Sequence, residues 1–226
     1  MPEPARLFIE SSTPRASLAL LRGSELVFEE SFMGDRSHNA LLFDPLQKAI
    51  ALLETGETLA TVVIGTGPGS YSGTRVGIAA GQGVALVHGC PATGLSSLLA
   101  VPPARGRALA IGDARRGSAW RVRIEGGSLL GEPELCPNAL LETEIEAVLA
   151  QGIAVFSLEP VDRLGLPEEL VARITVEHPD ARQLATAWAN LPAEEESRIS
   201  ALPPQPVYLR PPHITEAKAG HPLLRK

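Results

Sequence analysis

The sequence predicts an α/β fold built twice, with two β-β-β-α-β-α halves in tandem that face each other across a cleft. Two observations predict it. Apolar runs of strand period and apolar stripes of helical period follow one another in the same order in residues 1–103 and in residues 104–226, with Val101-Pro102-Pro103 at the join. In the first half, the apolar run Thr61-Val62-Val63-Ile64 enters a loop and helix that hold seven glycines in residues 65–84. A buried strand that passes through such a loop into a helix of small side chains is a connection typical of α/β proteins.

The first half opens with a strand over Arg6–Ile9, closed by Glu10-Ser11-Ser12-Thr13. Ala16–Leu21 is a second strand, Arg22-Gly23-Ser24 a turn, and Glu25–Phe32 a third strand, so that the three form a meander. A helix is expected within Ser37–Leu53, where Leu42, Leu46, Ile50 and Leu53 share one stripe. Pro45 either kinks it or lies in the first turn of a helix that starts at Asp44. The strand to Gly65, the glycine loop and a helix over about Gly73–His88 complete the unit, and Ser97–Ala100 is a short helix capped by Ser96-Ser97.

The second half repeats the order. Arg107–Ile111, Ala119–Glu125 and Ser128–Glu132 are strands, Thr143–Gln151 a helix, Ala154–Ser157 a strand and Asp180–Leu191 a helix that carries Leu184, Trp188 and Leu191 on one side. The proline-rich tail holds a candidate edge strand at Val207-Tyr208-Leu209, and His213–Lys226 is expected to be partly unstructured. The duplication suggests the actin-like ATPase (ribonuclease H-like) fold, with its first hairpin and glycine loop lining the cleft.

Composition narrows the function. The chain has 226 residues, 44% of them hydrophobic, and a net charge of −6, which argues against a protein that grips nucleic acid by itself. Its only lysines are Lys48, Lys218 and Lys226, so no lysine is available for Schiff-base chemistry between 49 and 217. Cys90 and Cys136 stand in unrelated contexts and read as ordinary small apolar residues in a reducing compartment. Met1–Arg6 carries no apolar run and no stretch approaches the ~18 residues that span a bilayer, so a cytoplasmic protein without a membrane partner is expected.

The candidate sites follow from residue type and spacing. The loop Gly67-Pro68-Gly69-Ser70-Tyr71-Ser72-Gly73 is read either as a cradle for a nucleotide phosphate, through Gly67, Gly69, Ser70 and Gly73, or as a tight strand-to-helix connection. It is not a P-loop, because no Gly-Lys-Ser/Thr follows. Glu10, beside the cleft, is a candidate for holding a metal–nucleotide complex or an ordinary strand-end carboxylate. Gly73, Gly77 and Gly81 make a flat face on one helix, for close approach of a helix from this chain or from a partner, since each glycine costs about 1 kcal/mol relative to alanine. His38, His88, His178, His213 and His221 form no metal-binding spacing, and Asp113-Ala114-Arg115-Arg116-Gly117 reads as a charged hairpin tip.

Taken together, Leu7-Phe8-Ile9-Glu10-Ser11-Ser12-Thr13, Ser37-His38, Gly65 through Gly77, Gly94-Leu95-Ser96-Ser97-Leu98, Asp113-Ala114-Arg115 and Pro206-Val207-Tyr208-Leu209-Arg210 resemble the TsaB (YeaZ) family of the glycoprotease-like group. The match is dense over residues 6–100 and sparse beyond. The resemblance implies an actin-like fold and a role in making N6-threonylcarbamoyladenosine at position 37 of tRNAs that read codons starting with A. It implies a subunit without catalytic residues, which docks the catalytic TsaD, is joined by the ATPase TsaE, meets tRNA only through the complex, and forms a homodimer when alone. The TsaD relative carries a His-x-x-x-His metal motif; the corresponding stretch here, Gly94 to Ala100, has no histidine. Where the family usually has Asp-Thr at the first strand end, this chain has Glu10-Ser11.

On this reading the working surface is the helix pair His38–Leu53 and Gly73–His88, with His38, Leu42, Leu46, Ile50, Gly73, Arg75, Gly77 and Gly81 at the partner interface. No cofactor is required, and ATP or ADP is expected, if at all, at the TsaD interface. The alternative is an active ATP-dependent kinase or ATPase of the same fold, for which Glu10 and Asp113 are the available carboxylates. Peptidase activity has no metal cluster or triad to support it.

Overall fold

A computed structural model describes residues 3–33 and 41–209. Ser37, His38, Arg210 and the segment 213–226 lie outside the described residues. The first half contains β1 (Ala5–Glu10), β2 (Arg15–Arg22), β3 (Glu25–Met33), α1 (Phe43–Ala51), β4 (Leu59–Gly65), α2 (Tyr71–His88) and β5 (Ala92–Leu95). The second contains β6 (Arg107–Asp113), β7 (Ser118–Glu125), β8 (Ser128–Leu129), β9 (Glu134–Pro137), α3 (Asn138–Ala150), β10 (Ala154–Ser157), α4 (Glu168–Val171), β11 (Thr175–Val176), α5 (Ala181–Ala189) and α6 (Ala193–Ser200). Pro45 sits in the first turn of α1, as the second of the two sequence alternatives has it.

The two sheets share one plan. The first has the order β3-β2-β1-β4-β5, the second β11-β10-β6-β7-β8, with β9 also on β7. In each, a central strand lies antiparallel to the strand after it and parallel to the one that follows the helix: β1 with β2 and β4, β6 with β7 and β10. The duplicated architecture read from the sequence is present, with β5 and β11 added at corresponding edges.

Alternation along β1 explains the layers. Successive strand residues point to opposite faces. Leu7 and Ile9 join Leu18, Leu20, Val62, Ile64 and the inner sides of α1 and α2 in one core. Phe8, between them, joins Ala19 and Val63 in a second core with Ala108, Ala110, Trp120, Val122 and Phe156 of the other sheet and with Leu184 and Trp188 of α5. A third core lies between the outer face of the second sheet and α3, around Leu109, Ile111, Leu141 and Ile145. The space between the two sheets is therefore packed with apolar side chains. The join at 101–103 separates the sheets but not the cores, since α5 packs on β1, β2 and β4, and the Ala181 amide donates to Ser17 Oγ at 2.8 Å.

The glycine face of α2 is turned inward. A Cβ at Gly73 would run into the Ser11 carbonyl oxygen and one at Gly77 into Ser11 Oγ. A Cβ at Gly81 would lie 2.6 Å from Ile64 Cγ1. All three glycines are buried. Of the two uses the sequence left open for Gly73, Gly77 and Gly81, the structure takes the internal one, and the expectation that they present a flat surface to a partner is corrected: strands β1 and β4 occupy that face.

Substitution along this one helix separates the two environments. Gly83→Ala, at an exposed position with open space around it, is expected to gain about 1 kcal/mol from helix propensity. Gly73→Ala meets backbone that must shift and is expected to lose about 1–3 kcal/mol. Urea denaturation midpoints should move in opposite directions; a gain for both variants would contradict the packing of the glycine face.

Candidate functional site

The carboxyl ends of β1, β4 and β5 meet at the glycine loop, and several of its backbone groups are engaged within the chain. Gly67, at φ +84, donates its N–H to Ser97 Oγ at 3.0 Å, and its carbonyl accepts from the Ser97 amide at 3.0 Å and Ser96 Oγ at 3.2 Å. The Ser70 amide donates to the Ser12 carbonyl at 2.6 Å, and the Gly73 amide to Ser70 Oγ at 3.1 Å, the N-cap of α2. Gly69 is pressed so close to the Ser12 carbonyl that no Cβ fits. A phosphate cradle needs unclaimed N–H groups. Three donors of the proposed cradle are taken within the chain, the N–H of Gly67 by Ser97 Oγ, that of Ser70 by the Ser12 carbonyl and that of Gly73 by Ser70 Oγ, as a tight strand-to-helix connection requires.

Glu10 does not face a cleft. It is fully buried, with Oε1 accepting from the Ser12 amide at 2.7 Å and Oε2 lying over Gly65 without a hydrogen-bond partner. Burial pushes its carboxyl above the ordinary range, and the Ser12, Ser97 and Ser11 groups around it pull only partly the other way. A carboxyl with no exposed surface is placed away from any open face of the protein, in contrast to the cleft-side position expected for Glu10. The hairpin tip closes on itself in the same way: the Arg115 amide donates to Asp113 Oδ1 at 2.7 Å and its Nη1 to Oδ2 at 2.8 Å. Among the described residues no group of three or more His, Cys, Asp or Glu could hold a metal ion, and no helix is long and apolar enough to cross a membrane.

The open feature lies on the other side of α2. A groove of about 590 Å³ runs between α1 and α2, lined by Phe43, Leu46, Ile50, Val76, Ala80 and Val87, among others. It exists because α2 carries Ala79, Ala80 and Gly83 on its outer side, too small to fill the space beside α1. Phe43 is 58% exposed, Val87 83% and the adjacent Leu86 84%, a concentration of apolar surface that soluble proteins usually reserve for contact. The sequence-predicted interface residues divide here. Ile50 lines the groove and Arg75 is exposed at its edge, whereas Leu42 and Leu46 are buried in the core beneath, so Leu42 is no contact residue. Leu46 reaches the groove only as its floor. The sequence reading missed Phe43, Val76 and Val87, although Val76 and Val87 stand on α2 away from the glycine stripe and so signal a second face.

A family model for "TsaD: tRNA N6-adenosine threonylcarbamoyltransferase" matches residues 33–128. Uncharacterized proteins of Mycobacterium bovis and Mycobacterium tuberculosis are each 29% identical over 216 residues, covering 91% of this chain and 92% of theirs. Among solved structures, YeaZ from Pseudomonas aeruginosa matches with a TM-score of 0.60 at 21% identity over 91% of this chain and 100% of its own. A protein described as similar to peptidase YeaZ, from the same organism, matches at 0.64 and 20% identity over 92% and 100%. The fold is that of YeaZ, and the family-model match and the fold together support the resemblance to a YeaZ-type (TsaB) protein.

Glu10 makes stability depend on pH in a definite direction. Its folded-state pKa is raised, so the neutral acid's contribution is complete below the unfolded value and is lost as pH rises through the folded one. Glu10→Gln keeps the shape without the ionisation. Relative to the parent, it should gain stability as pH rises above the ordinary carboxylate range, by at most about 1.4 kcal/mol per pH unit. Urea titrations within and above that range test this, and a difference that does not change with pH would contradict it.

Proposed function

We propose that this chain is a TsaB-type scaffold subunit of the machinery that makes N6-threonylcarbamoyladenosine at position 37 of tRNAs, and that it acts by docking a TsaD-type catalytic subunit. The observation that carries the reading is the apolar groove between α1 and α2, with Phe43, Leu86 and Val87 exposed around it. A partner helix laid in it would find backbone close at hand along Ala79, Ala80 and Gly83, where short side chains allow tight interaxial packing. In the absence of that partner, a second copy would cover the same surface in a self-complementary homodimer. A TsaE-type ATPase would complete the assembly, and tRNA would be met only within it.

A role without chemistry of its own is supported by three features. The apolar core between the sheets leaves no room for the hinge closure that actin-like enzymes perform around nucleotide. The N–H groups of Gly67, Ser70 and Gly73 are engaged. The carboxylates an active kinase would need, Glu10 and Asp113, are respectively interior and bound to Arg115. Any ATP or ADP would then be held at the junction with the TsaD-type subunit.

Val87→Glu places a charge in the proposed contact without touching the core. It is expected to abolish co-purification with the TsaD-type subunit at unchanged melting temperature, and depletion of the protein from its host should remove threonylcarbamoyladenosine from tRNA. Persistence of the nucleoside after depletion, or an intact complex with Val87→Glu, would overturn the reading.

A further inference from the structure

Beside the groove, side chains from two distant parts of the chain converge. The Arg75 guanidinium lies 4.6 Å above the Tyr71 ring and 6.0 Å from that of Tyr208, and its Nη1 donates to the Tyr71 hydroxyl at 2.6 Å. The two rings are 6.1 Å apart and tilted by 45°. Tyr208 is brought there by the segment 201–209, which returns from the second half to the first. Pro204 packs against Gly94, where an added Cβ would stand 3.2 Å from Pro204 Cα, and the Val207 amide donates to the Thr66 carbonyl at 3.0 Å. The candidate edge strand at Val207-Tyr208-Leu209 is corrected: the segment forms no ladder and is held by these contacts instead.

This cluster is open to solvent yet ordered by its own contacts. Tyr71 is 59% exposed, Tyr208 48%, and Arg75 is exposed as well. Of the fourteen arginines among the described residues, Arg22, Arg107, Arg115, Arg121, Arg123, Arg182 and Arg198 each hold a carboxylate, and Arg75 is one of the seven that form no ion pair there. Two rings fix the plane of its guanidinium while leaving further N–H donors uncommitted, which is the pre-organisation that bidentate capture of a carboxylate requires. Val76, next in sequence, and Ala79, one turn further along α2, line the groove, so the cationic cluster and the apolar surface share one helix.

We propose that Tyr71, Arg75 and Tyr208 form the polar anchor of the docking surface and receive a carboxylate side chain of the TsaD-type partner, which makes the returning segment 201–209 part of the interface. This rests on the groove being the docking surface for that partner. Tyrosine and arginine are the residue types that carry most energy in protein interfaces. A single arginine beside an apolar groove, on a chain of net charge −6, fits an acidic protein segment better than a nucleic-acid backbone, which calls for several cations.

Calorimetric titration of the purified TsaD-type subunit with the full-length chain, at low and high salt, tests the proposal. Arg75→Ala and Tyr208→Ala are each expected to weaken binding by roughly tenfold or more, with unchanged melting temperatures. Arg75→Lys should restore only part of the loss, and the salt dependence of binding should shrink in Arg75→Ala. Parent-like binding by Arg75→Ala and Tyr208→Ala, alongside loss of binding by Val87→Glu, would overturn the anchor and leave the docking surface standing. Absence of binding by the parent would overturn both. Tight binding of free tRNA by the isolated chain, lost in Arg75→Ala, would overturn the carboxylate assignment.

Discussion

The near-contact of α2 with β1 and β4 governs the rest of the molecule. Backbone can approach backbone this closely only where side chains are missing, and Gly73, Gly77 and Gly81 supply that absence against Ser11 and Ile64. Drawing the helix down shortens the path from Gly65 to Tyr71, so the loop between them must fold tightly onto Ser12 and Ser97, and the N–H groups of Gly67 and Ser70 are bound there. A buried loop must place its N–H and C=O groups somewhere, and these are placed on the chain's own serines.

The second consequence is on the far side of the helix. A helix seated this deeply exposes its outer surface at nearly the level of α1, and α2 offers only Ala79, Ala80 and Gly83 there. The groove is made by small residues on both faces of one helix, the inner ones seating it and the outer ones leaving space. Meanwhile the inner face of the first sheet is committed to the second half through Phe8, Ala19 and Val63. The interlobe space of this actin-like architecture is thus spent on core.

The repeat was legible because it rests on local periodicity: strands such as Arg107–Ile111 and the stripe Leu184–Trp188 declare themselves within a few residues. β5 was not, because Ala92-Thr93-Gly94-Leu95 has neither length nor clear alternation and is a strand only through pairing with β4. Of α3, the first turns were missed because Pro137 rather than a side-chain cap precedes Asn138. Period 3.6 revealed a glycine face but not which way it points, since direction depends on which strand ends beneath it. Glu10 looked like a cleft residue for the same reason; the groups around it come from Ser12, Gly65 and Ser97, the last two distant in sequence. Tyr208 and Arg75 meet across 133 positions of chain, a pairing no local pattern encodes.

That long-range closure bears on how the surface around α1 and α2 is held in place. Binding loses free energy to every side chain and loop ordered at the moment of contact, and a surface already ordered avoids that loss. Here α5 packs on the first sheet, with the Ala181 amide bound to Ser17 and Arg182 paired with Glu29, while the segment 201–209 crosses β5 to reach Thr66 and Tyr71. The second half thus braces the sheet on which α1 and α2 rest, although it contributes only Tyr208 to the cluster beside the groove. A lone five-stranded sheet with two helices on one side would leave Phe8, Ala19 and Val63 exposed on the other, and the duplicated half covers them.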